Sequence, residues 1–333
     1  MTTTQPTTRR GLLQQGALAA LALMMTTPGL ALAQDPYPSR PIKWVVPYLA
    51  GTGPDTTTRI LAEAVGPILG QPVVIENKAG AGGNIGARIA AKSPADGYTW
   101  VYSAAPMAAN MHMYKNPGYD ALKDFRHVMR LTSSDIVVVV KATSDIRTLD
   151  DLLARAKAKP DALSYSSGGV GTPSHLGVEM LLDAAGAKVM HVPYKGASEL
   201  VNAVMGDQVA FGAPIFSVAY PMIQSGKLRA LAVAGPKRNA TLPDVPTLAE
   251  LGIKGVELTS WGGISVPAGT PDAVVDRIRA AFRQAMAQPK VVAALQQQGG
   301  QVDMQDSAAY LQGFKQEMAL TQAMMKKVGL EAM

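Results

Sequence analysis

The chain has 333 residues, of which 47% are hydrophobic and 17% charged. That composition excludes disorder and spans about two domains at ~150 residues each. The absence of cysteine removes disulfides, thiolate metal sites and cysteine nucleophiles. The net charge of +6 is scattered and aromatics are 5%, without the Arg/aromatic interleaving of single-strand binders, so no nucleic acid partner is expected. The four histidines, His112, His127, His175 and His191, show neither HxxxH nor HxH spacing, so no metal and no cofactor is expected.

Residues 1–33 read as an export signal: Arg9-Arg10, a short apolar stretch from Gly16 to Met25, and the small-x-small site Ala31-Leu32-Ala33, with Gln34 as the mature start. The paired arginines fit Tat export and the apolar core fits Sec. With no cysteine for a lipid anchor and no spanning segment, the expected product is a soluble periplasmic monomer. Beyond it, strand and helix patterns alternate. Ile42–Val46 reads as a buried strand and Asp55–Leu69 as an amphipathic helix. Val73–Glu76, Gly83–Lys92 and Tyr98–Ser103 read as strand, helix and strand. Ile136–Lys141 is a strong β-branched strand, and Thr148–Lys159 a helix. Leu163–Ser166, Pro173–Ala185, Val189–Val192 and Ser198–Met205 continue the alternation. Val209–Gly212 and Arg229–Ala234 are strands, and the helices Pro271–Ala287 and Ser307–Val328 close the chain. The pattern predicts α/β architecture with mostly parallel sheets covered on both faces.

Two segments echo each other. Strand Trp44–Pro47 runs into Ala50-Gly51-Thr52-Gly53-Pro54-Asp55 and a helix; strand Ser164–Ser166 runs into Ser167-Gly168-Gly169-Val170-Gly171-Thr172-Pro173 and a helix. A Gly-rich loop feeding a helix offers backbone N–H groups and a positive dipole end, an anion site without a cationic side chain. Asp55 and Thr172 are the expected helix caps; an ammonium partner is the alternative for Asp55. His175 reads as packing or ligand contact, His191 as structural, and Phe216 and Trp261 as core or cleft wall. Gly80–Gly86 approaches a dinucleotide fingerprint, but no acid ends the following strand, and close helix–sheet packing explains the glycines better. No nucleophile–base constellation is placed on a suitable element, so an enzyme is not expected.

Further segments carry a family resemblance: Tyr37–Ile42, Gly70–Asn77, Gly80–Gly86, Pro94–Thr99, Val192–Gly196, Gly226–Ala232, Leu242–Thr247 and Pro267–Pro271. In this order the chain resembles the tripartite tricarboxylate transporter substrate-binding proteins, the TctC or Bug-type receptors of Gram-negative bacteria. The resemblance implies a type II periplasmic binding fold, two doubly wound lobes joined by two crossings with a ligand cleft between them. Lobe one would be 36–136 plus 257–333, and lobe two 137–256. It further implies that loops 48–55 and 166–175 grip a ligand carboxylate through backbone N–H groups and water. The candidate contacts are Tyr48, Leu49, Ala50, Gly51, Thr52 and Asp55 in the first loop. In the second they are Ser166, Ser167, Gly169, Gly171, Thr172 and His175. Ser103 and Tyr194 complete the polar set.

Two departures bear on the ligand. The first loop reads Leu49-Ala50-Gly51-Thr52-Gly53-Pro54-Asp55 where the family usually reads like PAGGGTD. After Phe211 the family often places Asp-Asn for amino-acid ligands, and here Pro214, Ile215 and Phe216 follow. Without that acid an amine is disfavoured. Pro214, Ile215 and Phe216, with Tyr48, Met107 and Trp261, would suit an apolar or aromatic mono- or dicarboxylate such as terephthalate. The expected partners are a small organic carboxylate and the membrane subunits of a tripartite tricarboxylate transporter. The alternatives are a sensor presenting a carboxylate to a kinase and an exported hydrolase.

Overall fold

The computed structural model describes residues 1–3, 37–170, 172–256 and 259–333. The export-signal reading, apart from its first residues, and the candidate contact Gly171 therefore lie outside the described residues.

Two sheets organise residues 37–333. The first contains β1 (Ile42–Val46), β2 (Val73–Asn77), β3 (Thr99–Ala104), β4 (Phe125–Asp135), β10 (Thr259–Pro267) and β11 (Gln301–Gln305), in the order β11-β4-β10-β3-β1-β2. The second contains β5 (Val137–Lys141), β6 (Ser164–Ser167), β7 (Met190–Pro193), β8 (Phe211–Gly212) and β9 (Leu228–Val233), in the order β7-β6-β8-β5-β9. Ten α-helices accompany them among the described residues. These are α1 (Gly53–Leu69), α2 (Asn84–Ala91), α3 (Ala105–Met113), α4 (Leu149–Ala158), α5 (Pro173–Ala185), α6 (Ala197–Met205), α7 (Phe216–Gln224), α8 (Asp272–Met286), α9 (Pro289–Gln297) and α10 (Ser307–Val328).

The continuous β-branched run of β5 is explained by burial on both faces. Val138 and Val140 pack with Leu149, Leu152 and Leu153 of α4 and Leu181 of α5. Val137 and Val139 pack with Leu200, Val201 and Val204 of α6. In the first lobe Trp44 of β1, Trp100 of β3 and Phe282 of α8 meet edge-on or tilted with centroids 5.3–5.6 Å apart, and edge-to-face contact is a geometry that aromatic quadrupoles favour.

The expectation of mostly parallel sheets needs correction. β1 pairs with β2 and β3, and β6 with β7 and β8, in parallel. β10 runs antiparallel to β3 and β4, β11 to β4, and β5 to β8 and β9. The antiparallel strands flank both crossings between sheets. A chain that leaves one sheet and enters the next without a covering helix does not need a parallel crossover.

This topology locates the cleft. Gly262 pairs with Ala104 and Thr259 with Asp135, so the start of β10 and the end of β4 lie beside the carboxyl end of β3. A single residue, Ile136, separates β4 from β5, whose start lies beside the carboxyl end of β8. The carboxyl ends of the parallel strands of both sheets therefore open toward the crossing, the position where open α/β sheets bind ligands. Asp135 pins this junction. Its carboxylate accepts from Asn239 Nδ2 and Gln301 Nε2, both at 2.9 Å, and Gly235 leaves it room, since a Cβ there would lie 2.5 Å from Asp135 Oδ1.

Candidate functional site

The first loop is set by Asp55. Helix α1 begins at Gly53, two residues before the expected start, and Thr52 holds the N-cap position without a side-chain capping bond. Asp55 sits in the first turn, 2% exposed. It accepts the Gly51 N–H at 2.8 Å, Asn77 Nδ2 at 2.9 Å and Arg59 Nε at 3.1 Å. Asn77 also donates to the Tyr48 carbonyl at 3.1 Å. The network ties both ends of the loop to β2 and explains the left-handed Gly51, at φ +80°. Burial opposes ionisation of Asp55, but the bonds from Arg59, Gly51 and Asn77 outweigh it and hold its carboxyl below the usual range. The sequence reading of Asp55 as the cap is thus corrected: it acts backward on Gly51. Leu49, 68% exposed, and Ala50 form the outer corner of the loop. Tyr48 is half-buried, edge-on to Tyr102 at 6.3 Å.

The second loop is braced by hydroxyls. Ser174 Oγ accepts the Gly168 N–H at 2.9 Å, Ser167 Oγ accepts the Gly169 N–H at 3.1 Å, and Thr172 Oγ1 donates to the Gly169 carbonyl at 2.7 Å. Thr172 holds the expected N-cap position of α5, but its hydroxyl makes no capping bond to the helix backbone and lies 3.0 Å from Ser174 Oγ. Ser167 Oγ lies 2.6 Å from His191 Nε2. His191 is stacked between Tyr165 at 4.8 Å and His175 at 4.1 Å. Burial pushes both histidines down to about 4, so they are neutral at neutral pH. Sequence reasoning missed this Ser–His contact because 24 residues separate the partners. Ser167 has no exposed surface, so the pair braces the loop and does not present a nucleophile.

Expected donors are thus partly spent inside the loops, at Gly51, Gly168 and Gly169. The N–H groups of the first helical turns, which have no intrahelical acceptor, are what the geometry leaves for an anion.

Several candidate contacts lie in the interior. Phe216 is 0% exposed and packs with Val137, Val139 and Leu200. Met107 packs with Trp261 and Phe314. Pro214 is buried and its carbonyl accepts the Val137 N–H. Ser166 donates to the Leu200 carbonyl. Ser103 Oγ is 2.6 Å from Ser265 Oγ and 2.9 Å from Tyr310 Oη. The structure does not bring these five to an open surface. Tyr194 bonds to Gln208 at 3.1 Å.

Ile215 and Trp261 instead line a cavity of about 40 Å³ between the lobes. Its other walls are Gly53, Pro54 and Thr57 of α1, Tyr102 of β3, Thr132, Ser133 and Ser134 of β4, and Ser217 of α7, with Ser260 and Gly262 of β10 and Gln298 and Gly300 after α9. The hydroxyl residues were missed because short Ser/Thr runs read as loop. Behind the cavity, Trp261 Nε1 donates to Glu317 Oε2 at 3.2 Å, and the Arg130 guanidinium lies 6.0 Å from the indole centroid. Among the described residues no cluster of three or more His, Asp or Glu is placed to hold a metal.

A family model described as "Tripartite tricarboxylate transporter family receptor" matches residues 57–330. A protein in the tcbD-tcbE intergenic region of Pseudomonas sp. (strain P51) is 38% identical over 284 residues, 85% of this chain and 84% of that protein. Protein BugT of Bordetella pertussis is 34% identical over 85% of this chain and 88% of its own length. Among solved structures, the periplasmic binding protein BugD aligns with a TM-score of 0.80 at 34% identity, covering 89% of this chain and 100% of that one. R. palustris Rpa4515 with adipate aligns with a TM-score of 0.83 at 28% identity, covering 89% and 100%. MatC (Rpa3494) from Rhodopseudomonas palustris with bound malate aligns with a TM-score of 0.78 at 27% identity, covering 86% and 99%.

Proposed function

This chain belongs to the tripartite tricarboxylate transporter receptor family, and we propose that it captures a small, amine-free organic carboxylate between its lobes. It is a solute-binding receptor and not an enzyme, in keeping with its family and its structural neighbours. The family works with membrane transporter subunits, and periplasmic export follows from the same membership. We infer a monomer that delivers its ligand to those subunits.

The observation that carries the ligand class is the acid-free lining of the interlobe cavity. Two glycine-rich helix starts from opposite lobes supply the anion-binding ends, at loops 48–55 and 166–175. Adipate and malate, bound by two structural neighbours, are ligands of this class. Ile215, Tyr102 and Trp261 supply apolar surface for the ligand body. An aromatic body such as that of terephthalate rests on these three, and no longer on Pro214 and Phe216, which are buried.

Closure would proceed about the crossings near residues 136 and 256, bringing 36–136 plus 257–333 against 137–256. Helix α10 adds a further link, because Leu320 packs with the core of the second lobe and Lys327 pairs with Asp183 of α5.

Calorimetric titration with aliphatic acids, aromatic acids, their carboxamides and amino acids tests the proposal. Binding of amine-free acids with loss on amidation is the expected result. Tight binding of amino acids alone refutes it.

A further inference from the structure

We propose that His191 is a positioning residue of the second Gly-rich loop. As its Nδ1–H tautomer it accepts the Ser167 hydroxyl proton at Nε2, and this acceptance sets the direction of the hydrogen bonds that hold the start of α5. The bond itself needs no ligand; its use in binding rests on the carboxylate-receptor reading above.

Each serine or threonine hydroxyl has one proton to give and two lone pairs to fill, and in this loop that leaves one consistent assignment. Gly168 N–H donates to Ser174 Oγ at 2.9 Å, and Thr172 Oγ1 donates to the Gly169 carbonyl at 2.7 Å. The Ser174 and Thr172 hydroxyls lie 3.0 Å apart. Thr172 has spent its proton, so the Ser174 proton goes to Thr172. The Thr172 N–H also reaches the Gly169 carbonyl, at 3.3 Å, which fills both lone pairs of that oxygen. Gly169 N–H in turn donates to Ser167 Oγ at 3.1 Å. Ser167 is left with two acceptors in reach: the Gly169 carbonyl at 3.1 Å, already taken, and His191 Nε2 at 2.6 Å. The Nε2–H tautomer would reverse the last bond and turn the Ser167 proton onto the Gly169 carbonyl, against Thr172. Thr172 is the N-cap residue of α5, so the helix start whose free N–H groups suit an anion would lose its tie to Gly169.

The imidazole is held for this contact. Tyr165 and His191 are register partners on β6 and β7, with rings stacked at 4.8 Å and 18°. His175, from the first turn of α5, covers the other face at 4.1 Å and 16°. Glu179, one turn further along α5, accepts the Tyr165 hydroxyl at 2.5 Å. Tyr194 N–H donates to the Ser167 carbonyl at 2.9 Å, which pins the end of β6 to β7. Burial keeps both histidines neutral at neutral pH, so His191 has a lone pair to offer. Ser167 has no exposed surface, so bulk water cannot stand in for the ring.

The test has a spectroscopic and a binding arm, both on the full protein at pH 7.5. Long-range 1H–15N NMR of the free protein reads the ring nitrogens, with His191 assigned by the signal missing from His191→Gln. The expected spectrum shows Nδ1 protonated and Nε2 bare, and a mixture of tautomers in Ser167→Ala. Titrations with adipate, malate, benzoate and terephthalate then compare three variants. His191→Phe, which keeps a stacked ring without the acceptor, should lower the affinity of every acid that binds the parent by about 5–30-fold, as should Ser167→Ala. His191→Gln, whose amide oxygen can accept, should stay within about threefold of the parent. The double variant should lose no more than either single one. If His191→Phe does not fold, Ser167→Ala and the tautomer carry the comparison. A protonated Nε2 in the parent overturns the proposal. So does unchanged affinity in His191→Phe beside a lowered thermal midpoint, or an equal loss in His191→Gln, since a purely structural ring would give either. Binding of none of the four acids by a parent with the expected tautomer overturns the receptor reading and the loop's role in it, and leaves the bond itself standing.

Discussion

Glu317 of α10 should make the protein lose stability as pH rises through neutrality. It is mostly buried, accepts from Trp261 Nε1 at 3.2 Å and lies near Arg130. Arg130 already pairs with Asp303 at 2.5 Å, and its Nε is buried without a partner. Burial dominates and pushes the Glu317 carboxyl from 4.5 up to about 7, while the Trp261 bond and the Arg130 charge work the other way. The folded protein therefore keeps a proton that the unfolded chain has already released. The stabilising share is complete below about pH 4.5 and is lost as pH rises through 7. Ionising a carboxyl so displaced costs on the order of 3 kcal/mol of fold stability, at about 1.4 kcal/mol per tenfold change in proton affinity.

Glu317→Gln keeps an acceptor for Trp261 and removes the charge. Urea unfolding of parent and variant at intervals from pH 5 to 8.5 isolates the effect, because every other titrating group cancels in the difference. The variant should lead by about 1 kcal/mol or less at pH 5 and by about 3 kcal/mol at pH 8.5. Trp261 also lines the cavity, so carboxylate affinity should fall between pH 6 and 8 in the parent and stay level in the variant. A stability difference that is constant with pH, or a variant weaker at every pH, refutes the assignment.

Two further substitutions probe closure and loop shape. Gly299, at φ +72°, abuts the second lobe, and a Cβ there would lie 2.7 Å from Ser217 Cα; Gly299→Ala should hold the lobes apart and weaken ligand binding 10-fold or more, read by titration and by a larger radius of gyration in X-ray scattering. Asp55→Ala strands the Gly51 N–H and takes one of two acceptors from Asn77 Nδ2, so it should cost about 1–3 kcal/mol in chemical denaturation and weaken carboxylate binding. Asp55→Asn, which keeps the shape but cannot satisfy the same donors, should recover only part of either loss. Because the Asp55 carboxyl is held low, its stabilising share is present above about pH 4 and disappears in acid.

The sequence made legible what depends on periodicity. Helix α10 is found at the expected residues, and the Ile136–Lys141 strand is found with only Ile136 outside the ladder. β10 was not legible, because a pair of adjacent glycines, Gly262 and Gly263, weakens the strand pattern in its middle. Their reason is packing at long range: a Cβ on Gly262 would strike Tyr102 Oη at 1.8 Å, and one on Gly263 the Met129 carbonyl at 2.3 Å. β4 was missed because Arg126, His127 and Arg130 interrupt its apolar residues, although His127 is buried and bonded to Ser265 at 2.7 Å. At the site, the two Gly-rich loops were visible as strand–loop–helix units. The donors spent inside them were not, since Asn77 is 22 residues from Asp55. Nor does composition separate a core phenylalanine from a cleft wall, which is why Phe216 read as either.

The case against an amine-bearing ligand is stronger in three dimensions than it is in sequence. Sequence leaves Asp55 available as an ammonium partner, because an acid in a binding loop is the natural candidate. In the fold its two oxygens already take Gly51, Asn77 and Arg59, the last also as an ion pair at 3.0 Å. Turning it toward a ligand would break the bonds that shape the loop meant to hold the carboxylate, so the gain at one end of the ligand is lost at the other. The cavity offers no substitute acid. An ammonium buried there without a counter-charge costs several kcal/mol, against about −8 kcal/mol for a whole micromolar interaction. The same absence costs a carboxylate nothing, since hydroxyls and helix starts are donors. Under the proposed reading, one arrangement of neutral groups would both admit the acid and reject the amino acid.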